Sequence, residues 1–240
     1  MGLYLVTGAS SGIGRELCAQ LVGRGDTVCG VARRREVLEQ MRGELSERFV
    51  PIPCDVTDLD AVVRACASLP ALPDTVILNA GMGIGESSKR VDTDIHSRTL
   101  ATNYFGAIHF VDALLPRFIE RGAGTFAATS SLAAWRGIPR SAAYGASKAA
   151  LTSAFESMRG LYWRHGVRFV TIHPGFVDTP MTRGQKGMFL VWTPERAVRR
   201  ILRGLDRGCV DITFPLGTRL LLGLLRLLPA RLYLEVSRRM

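Results

Sequence analysis

Cysteine and histidine are scarce in this chain of 240 residues, and neither type is grouped. The five cysteines are odd in number, widely separated and without a Cys-x-x-Cys pair: Cys18, Cys29, Cys54, Cys66 and Cys209. This pattern argues against a disulfide framework and a zinc site, and it fits a reducing compartment. Because His96, His109 and His165 have no metal-ligand partners at useful spacing, we predict that the protein binds no metal.

Long hydrophobic runs are also missing. The longest apolar stretch near the end of the chain covers residues 220–228, is interrupted by Gly223 and Arg226, and stops at Pro229. A membrane-spanning helix needs about 20 apolar residues, so this stretch is too short. Residues 2–6 already have the pattern of a strand, which leaves no room for a signal peptide. We therefore expect a cytoplasmic protein.

Acidic residues are too few to balance the basic ones. The chain has 31 Lys and Arg against 21 Asp and Glu, a formal net charge of +10. Residues 183–240 hold twelve of the basic and four of the acidic residues, so most of the excess lies near the C-terminus. Since no basic stretch is interleaved with aromatic residues as in a stacking platform, we predict no nucleic-acid partner.

Short apolar runs alternate with longer stretches of helical period, the pattern of βαβ units. Strands are predicted at residues 3–6, 27–31, 49–54, 75–78, 125–129, 167–172 and 211–214. Helices are predicted at residues 12–24, 58–68, 92–121, 144–164 and 194–208, the third bent near Asn103 or at Pro116. We expect an α/β fold, a Rossmann-like doubly wound parallel sheet of about seven strands with helices on both faces. It forms one domain over residues 1–215, followed by a tail at 216–240.

The turn after the first strand is rich in glycine and reads Thr7-Gly8-Ala9-Ser10-Ser11-Gly12-Ile13-Gly14. Between a strand and a helix, such glycines let the backbone turn sharply and approach a pyrophosphate at the helix N-terminus. The spacing is GxxxGxG rather than the common GxGxxG. A tight turn that merely starts the helix is the alternative, but the context favours a dinucleotide site.

The end of the second strand bears on which dinucleotide binds. A carboxylate here would hold the ribose 2′-OH of NAD, whereas an arginine accommodates the 2′-phosphate of NADP. The strand ends at Arg33-Arg34-Arg35, with no acid before Glu36. Either Arg33 or Arg34 is well placed to bind a phosphate, and a solvated run of arginines is the alternative. We predict a preference for NADP(H), with NAD(H) possible.

Tyr144 and Lys148 lie four residues apart on a predicted helix, so their side chains share one face. The unperturbed pKa of a phenol is about 10, which makes it a poor proton donor and acceptor at neutral pH. A neighbouring cation lowers that pKa, so we expect Lys148 to make Tyr144 a usable general acid or base. Alone, this spacing occurs by chance on many helices.

In its motifs and their order, the sequence resembles the short-chain dehydrogenase/reductase family, in its compact one-domain branch. The resemblance covers residues 2–214. It is carried by the glycine-rich turn, Asp55 after the third strand, Asn79-Ala80-Gly81, Asn103, Ser131 thirteen residues before Tyr144, Lys148, and Pro174-Gly175. It implies an NAD(P)-dependent oxidoreductase that is a homodimer or homotetramer, commonly assembled through the two long helices, here about 92–121 and 144–164.

The resemblance implies a catalytic tetrad of Asn103, Ser131, Tyr144 and Lys148. Ser131 would donate a hydrogen bond to the substrate oxygen, and Tyr144 would deliver or take the proton. Lys148 would also hold the ribose hydroxyls, and Asn103 would anchor a water that links Lys148 to solvent. Ser130 is the neighbouring alternative, but it would point to the opposite face if the strand continues. A polar residue that only bends its helix is the alternative for Asn103.

The resemblance also implies a set of cofactor-binding residues along the whole chain. Asp55 would accept a hydrogen bond from the adenine amino group, although an Asx turn is an alternative that can coexist. Thr179 would contact the cofactor carboxamide or phosphate. The full set is Gly8, Ser10, Ser11, Gly12, Ile13, Gly14, Arg33, Arg34, Asp55, Val56, Asn79, Ala80, Gly81, Tyr144, Lys148, Pro174, Gly175, Val177 and Thr179.

Substrate contacts are expected in two apolar segments, one before Tyr144 and one after Gly175. We predict Trp135, Ile138, Met181, Met188 and Phe189 as lining residues, although a lid packed on its own domain is equally compatible. An apolar pocket suggests an apolar carbonyl compound or alcohol as the small-molecule substrate. His173 is expected to be structural, because Tyr144 already supplies the proton.

The tail at residues 216–240 mixes leucine clusters with arginines and is split by Pro229 into two short helices. It packs on the domain or on a partner subunit, or it makes a peripheral contact with an anionic membrane surface. We expect the protein to reduce a ketone or aldehyde with NADPH, or to run the reverse oxidation. The alternative is an NAD(P)-sensing module without catalysis, but its expected mark, a broken Tyr/Lys pair or a missing serine, is not seen.

Overall fold

The computed structural model describes residues 1–87, 89–184 and 187–238. Its centre is a seven-stranded sheet of order β3-β2-β1-β4-β5-β6-β7, and every neighbouring pair is parallel. The strands are β1 Leu3–Thr7, β2 Thr27–Ala32, β3 Phe49–Pro53, β4 Thr75–Leu78, β5 Gly124–Thr129, β6 Val167–Pro174 and β7 Asp211–Phe214. The predicted doubly wound sheet is confirmed.

Helices cover both faces of the sheet. They are α1 Gly12–Gly23, α2 Arg35–Leu45, α3 Leu59–Ala67, α4 Thr93–Leu100, α5 Gly106–Arg121, α6 Ala142–Tyr162, α7 Pro194–Asp206, α8 Leu216–Leu227 and α9 Ala230–Ser237. On one face, Leu17 and Leu21 of α1 pack in a core cluster with Ile201 of α7. On the other, Phe110 and Phe155 belong to a second cluster under α3, α5 and α6.

The order of the strands places a crevice between β1 and β4. From β1 the chain runs outward through β2 and β3, and then crosses back to β4 on the other side of β1. The connections after β1 and β4 therefore leave in opposite directions. In open parallel sheets, ligands bind at the carboxyl ends of the strands beside such a switch point.

Two predicted helical features differ from the structure. The helix at residues 92–121 is not continuous: α4 and α5 are separated by a π-helical turn, Ala101–Phe105, which contains Asn103. The bend near Asn103 is thus confirmed, whereas Pro116 lies inside α5. Helix α2 was not predicted, although the buried side chains Leu38 and Met41 have the three-residue spacing of a helical face.

The tail forms two helices, α8 and α9, separated at Pro229 as predicted. The buried residues of α8 are Thr218 and Leu225. The last two tail residues, Arg239 and Met240, lie outside the described part of the chain. Within that part, no helix is long and apolar enough to cross a membrane.

Candidate active site

A cavity of about 560 Å³ runs along the carboxyl ends of the strands. Its walls come from the segments that follow β1, β2, β3, β4, β5 and β6, so it extends across the switch point. Every residue predicted to bind the cofactor lines it except Gly14, and Ser131 and Met181 line it as well. The tertiary structure thus brings together residues that are up to 174 positions apart in the sequence, from Gly8 to Thr182.

Gly14 lies behind the cavity wall and allows helix α1 to approach β1. A Cβ atom on Gly14 would stand 2.1 Å from the carbonyl oxygen of Gly8, so only glycine fits there. Gly8 and Gly12 have φ values of 69° and 54°, in the left-handed region that favours glycine. This close approach brings the N-terminus of α1 to the cavity, where its backbone N–H groups and dipole fit a pyrophosphate.

The arginines after β2 point to different parts of the cavity. Nη2 of Arg34 donates hydrogen bonds to the hydroxyl and carbonyl oxygens of Ser10, at 2.9 and 3.2 Å. Nη1 of Arg33 lies 4.0 Å from a carboxylate oxygen of Asp55, and the Arg33 side chain is 78% exposed. Arg34 therefore lies against the glycine-rich turn, where a phosphate next to the ribose would be held.

Asp55 forms an Asx turn. Its Oδ1 accepts hydrogen bonds from the backbone N–H and the hydroxyl of Thr57, at 3.0 and 2.9 Å. The Asx-turn interpretation is thus confirmed. Because Asp55 also lines the cavity, a contact with an adenine ring stays a compatible prediction.

Thr7 joins the two strands at the switch point. Its buried hydroxyl oxygen accepts hydrogen bonds from the backbone N–H groups of Asn79 and Ala80, at 2.9 and 3.0 Å. The amide of Asn79 donates to the carbonyl of Thr7 at 3.3 Å. These bonds keep the ends of β1 and β4 together on the floor of the cavity.

Ser131, Tyr144 and Lys148 meet at the other end of the cavity. The hydroxyl of Tyr144 is hydrogen-bonded to the side chain of Ser131. The ammonium nitrogen of Lys148 lies 5.8 Å from the centre of the Tyr144 ring. It donates a hydrogen bond to the carbonyl oxygen of Thr129 at 2.7 Å. A phenol, a hydroxyl donor and an ammonium group thus converge on one region.

Burial dominates the protonation of this group. It raises the pKa of Tyr144, and the hydrogen bond with Ser131 acts in the opposite direction. Burial also lowers the pKa of Lys148 to about 8. The pKa of Tyr144 is therefore raised overall in this structure, not lowered as expected from the neighbouring Lys148, because loss of solvent outweighs any effect of a cation whose hydrogen bond goes to the backbone.

Asn103 stands behind the cavity and supports both sides of it. In the π-helical turn, its Oδ1 accepts from the N–H of Met82 at 2.7 Å, and its Nδ2 donates to the Met82 carbonyl at 2.9 Å. Nδ2 also lies 2.9 Å from the hydroxyl of Ser147 on α6. A Cβ on Gly81 would be 3.3 Å from both Asn103 Oδ1 and Lys148 Nζ. Asn103 thus ties the segment after β4 to the helix that carries Tyr144.

Ser130 and Ser131 have different surroundings. The hydroxyl of Ser130 lies 2.9 Å from the carbonyl of Lys148 and 2.7 Å from the hydroxyl of Thr152. It therefore anchors α6, while the Ser131 side chain reaches Tyr144. The buried ring of His173 lies next to this group, with Nδ1 3.3 Å from the carbonyl oxygen of Ser131.

The predicted substrate residues are not all at the cavity. Met181 lines it, but Trp135, Ile138, Met188 and Phe189 are not part of its walls. The Trp135 ring is 5.9 Å from that of His173, and the Phe189 ring is 5.7 Å from that of Phe176. The contact of these four side chains with substrate therefore stays a prediction.

Two residues that hold parts of the site in place were not predicted from the sequence. Glu86 accepts a hydrogen bond from the N–H of Ala143 at 2.5 Å and so holds the first turn of α6. The hydroxyl of Thr182 accepts from the N–H of Thr179 at 3.0 Å and donates to the carbonyl of Val177 at 2.7 Å. No local pattern identifies Glu86, because its partner is 57 residues away. Thr182 belongs to an ordinary turn next to a predicted site residue.

Across residues 1–87, 89–184 and 187–238, no group of three or more His, Cys, Asp or Glu side chains is arranged to hold a metal ion.

Comparison with known proteins gives a consistent result. The family model described as short chain dehydrogenase matches residues 3–188. An uncharacterized oxidoreductase of Myxococcus xanthus is 36% identical over 98% of this chain and 96% of its own. A fatty acyl-CoA reductase of Acinetobacter baylyi is 34% identical over 89% of this chain and 76% of its own.

The fold comparison agrees. A short chain dehydrogenase of Burkholderia cenocepacia, solved in complex with NADP, superposes with a TM-score of 0.85. It is 26% identical, and the match covers 98% of this chain and 96% of that one. From the matched motifs, the parallel sheet and the relatives together, the chain belongs to the short-chain dehydrogenase/reductase family and is an NAD(P)-dependent oxidoreductase acting on CH–OH/C=O groups.

Proposed function

We propose that this protein is an NADPH-dependent reductase of an apolar ketone or aldehyde, able to run the reverse oxidation of a secondary alcohol. The observation that carries the proposal is one continuous cavity. Arg34 and the glycine-rich turn lie in its walls at one end, and Tyr144, Ser131 and Lys148 lie at the other. A dinucleotide needs such an extended site, with the phosphates and the reacting ring far apart.

The preference for NADP(H) rests on Arg34. Its planar guanidinium already contacts Ser10 of the glycine-rich turn, and β2 offers no carboxylate at its end to hold a ribose 2′-OH. A phosphate at this position would accept charge-assisted hydrogen bonds from the N–H groups of the same guanidinium. The bound NADP of the Burkholderia cenocepacia relative is consistent with this preference.

When bound, the nicotinamide cofactor supplies the hydride for the carbonyl carbon. The protein supplies the proton and stabilises charge on the carbonyl oxygen. Because burial raises the pKa of Tyr144, the phenol holds its proton at neutral pH, as a general acid must. Ser131 donates a hydrogen bond to the same oxygen, where negative charge develops.

Lys148 acts after the phenol has given up its proton. With a pKa of about 8, the ammonium group is mostly charged at pH 7 but can release a proton easily. Its charge stabilises the phenolate formed transiently on Tyr144. The reverse reaction needs Tyr144 as a phenolate that takes the proton from the alcohol. Because its raised pKa disfavours the phenolate at neutral pH, the protonation states of the free enzyme suit reduction better than oxidation.

An apolar substrate is suggested by exposed apolar residues in the segment that follows β6, of which Met181 lines the cavity. Met181, Phe189, Leu190 and Val191 are all at least 40% exposed, which is unusual for neighbouring large apolar side chains. The relative from Acinetobacter baylyi named a fatty acyl-CoA reductase supports a carbonyl compound with a long alkyl chain. Aldehydes and ketones of this kind are therefore the first candidates.

The proposal is tested with a Tyr144→Phe variant and a series of n-alkyl aldehydes and methyl ketones of increasing length. We expect the wild-type protein to oxidise NADPH with the longer members, and the variant to bind NADPH normally but turn over 10²–10⁴-fold more slowly. Tyr162→Phe, at the end of the same helix, is the matched control. Unchanged turnover in Tyr144→Phe contradicts the assignment. NADPH binding without turnover on any carbonyl compound would favour a cofactor sensor.

A further inference from the structure

Helix α8 carries an exposed apolar surface, which we call the tail face. It consists of Leu216, Leu220, Leu224 and Leu227, and Leu232 and Val236 on the following helix α9 are also exposed. Leu224 is 67% exposed and Leu227 is 81% exposed. Single exposed leucines are common on soluble proteins, but a contiguous row of them usually marks a surface that binds something.

The row follows from the helical period. The four leucines of α8 are separated by four, four and three residues, so they share one face of the helix. The buried residues, Thr218 and Leu225, are offset from them by about half a turn and contact the domain. The leucines therefore point away from the protein, on the side opposite to the packing contact.

Basic side chains accompany the tail face. Arg219, Arg226, Arg231 and Arg238 are all exposed. The tail contains a single acidic residue, Glu235, and its carboxylate is paired with Arg238 at 2.8 Å. Among the residues that the structure describes, no carboxylate is paired with the other three arginines. The apolar row thus lies within a positively charged surface.

The two helices are held against the domain near the active-site cavity. Arg136 donates hydrogen bonds to the carbonyls of Arg226 and Leu228, at 3.4 and 3.2 Å, and its guanidinium lies 4.3 Å from the centre of the Tyr233 ring. The hydroxyl of Tyr233 donates to the carbonyl of Gly137. Both Arg136 and Gly137 belong to the segment between Ser131 and Tyr144.

The first turn of α8 adjoins the cavity wall itself. The N–H of Gly175, a wall residue, donates to the carbonyl of Phe214 at 2.7 Å, and a Cβ on Gly175 would stand 2.9 Å from Pro215. The side chain of Leu190 lies against Gly217, and Leu190 is itself exposed. The first turn of α8, where the tail face begins, is therefore next to the cavity wall at Gly175.

We propose that the tail face binds the surface of an anionic lipid bilayer. A leucine row with flanking arginines matches a layer that is apolar inside and negatively charged at its surface. A second copy using the same face would bring like charges together, which disfavours self-association there. Binding itself does not depend on the proposed function. Only the advantage of membrane binding, which is access to carbonyl compounds dissolved in the bilayer, rests on the proposed function.

The test is co-sedimentation of the full chain with vesicles of phosphatidylcholine alone or with 30% phosphatidylserine. We expect binding to the mixed vesicles at least tenfold stronger than to the neutral ones, and weaker at high salt. Leu220→Asp with Leu224→Asp should reduce that binding at least tenfold. Leu59→Asp with Val63→Asp is the matched control, because these side chains are also exposed and four residues apart on α3.

Arg219→Gln with Arg226→Gln provides a second variant that keeps the leucines, in case the aspartates unfold the tail. It should lower binding to the mixed vesicles at least fivefold while turnover of a water-soluble carbonyl compound stays unchanged. A full chain that leaves both vesicle types unbound overturns the proposal, as does equal binding by wild type and either tail variant. So does a wild-type dimer that the aspartate pair converts to a monomer without any vesicle binding. NADPH binding and turnover, measured in parallel, report on the proposed function separately.

Discussion

The ammonium nitrogen of Lys148 donates a hydrogen bond to the carbonyl oxygen of Thr129 at 2.7 Å. Thr129 ends β5 and Lys148 lies on α6, so this bond ties the helix that carries Tyr144 to the sheet. Lys148 is 3% exposed. The residue is thus both an anchor and a buried charge, and these two properties have opposite effects on stability.

Lys148→Met should stop turnover and yet stabilise the free protein at neutral pH. The folded-state pKa of about 8 is below the ordinary 10.5, so folding disfavours the charged form. The penalty is complete below pH 8 and disappears as the pH rises towards 10.5. We expect the variant to gain on the order of 2–3 kcal/mol in the free energy of unfolding at pH 7.

Urea unfolding at pH 7, 8, 9 and 10 measures this difference. The advantage of Lys148→Met over wild type should shrink steadily across the upper three values. Lys89→Met serves as the control for loss of a lysine elsewhere, since Lys89 is exposed. A variant that is less stable than wild type at pH 7, or a difference that does not change with pH, would contradict the buried-charge argument.

Substitution of the two adjacent serines, Ser130 and Ser131, should distinguish an effect on catalysis from an effect on stability. Ser131→Ala removes the hydroxyl next to Tyr144 and should lower kcat by about 10²–10³-fold with little change in the melting temperature. Ser130→Ala instead breaks the contacts with Lys148 and Thr152, and should cost about 1–2 kcal/mol of stability. Steady-state kinetics and thermal melts of both variants measure kcat and the melting temperature. A larger loss of kcat in Ser130→Ala than in Ser131→Ala would reverse the assignment.

Arg34→Ala should weaken NADPH binding about tenfold or more and leave NADH binding within about threefold, because it removes a charge-assisted contact with a phosphate that NADH lacks. Arg33→Ala, whose side chain is largely in solvent, should have a smaller effect. Fluorescence titrations with both nucleotides measure the four affinities. Equal losses for NADPH and NADH in Arg34→Ala would argue against the phosphate contact.

Gly14→Ala should destabilise the fold by about 3 kcal/mol or more, because its Cβ would stand 2.1 Å from the carbonyl oxygen of Gly8. Gly23→Ala, at the end of the same helix, has open space around it and should raise stability by about 0.5–1 kcal/mol. Denaturant unfolding of the two variants tests whether the available space or the helix propensity determines the change in stability. A Gly14→Ala protein as stable as wild type would show that α1 can move away from β1 without loss.

Several structural features could be predicted from the sequence because each depends on residues that are close together in the chain. The alternation of apolar runs with helical periods predicted all seven strands, and the helix predicted at residues 194–208 begins at Pro194 in the structure. From the sequence, the π-helical turn at Asn103 could be predicted only as a bend of unknown type. The role of Glu86 could not be predicted, because its partner Ala143 is 57 residues away and the two meet only in the folded chain. Thr182 bonds to Thr179 and Val177 within its own turn, where no residue pattern distinguishes it from an ordinary turn threonine.

Protonation and the shape of the entrance depend on the surroundings rather than on spacing. The four-residue interval correctly put Tyr144 and Lys148 on one face of α6, but the pKa of Tyr144 is raised because the pocket removes solvent from it. In the same way, Trp135 is a plausible substrate residue by position, yet its ring packs between His173 and Gly223 of α8 and is not part of the cavity wall.

By itself, the sequence determined the parallel sheet, the glycine-rich turn and the family, and it predicted the residues that would carry the chemistry, because apolar period, backbone freedom and residue type are properties of short segments. Only the tertiary structure decided that Arg34 rather than Arg33 lies against Ser10, that burial governs Tyr144 and Lys148, and that the leucines of α8 face outward beside the cavity. Those outcomes are set by which distant groups exclude water from one another, and desolvation is a property of the assembled fold.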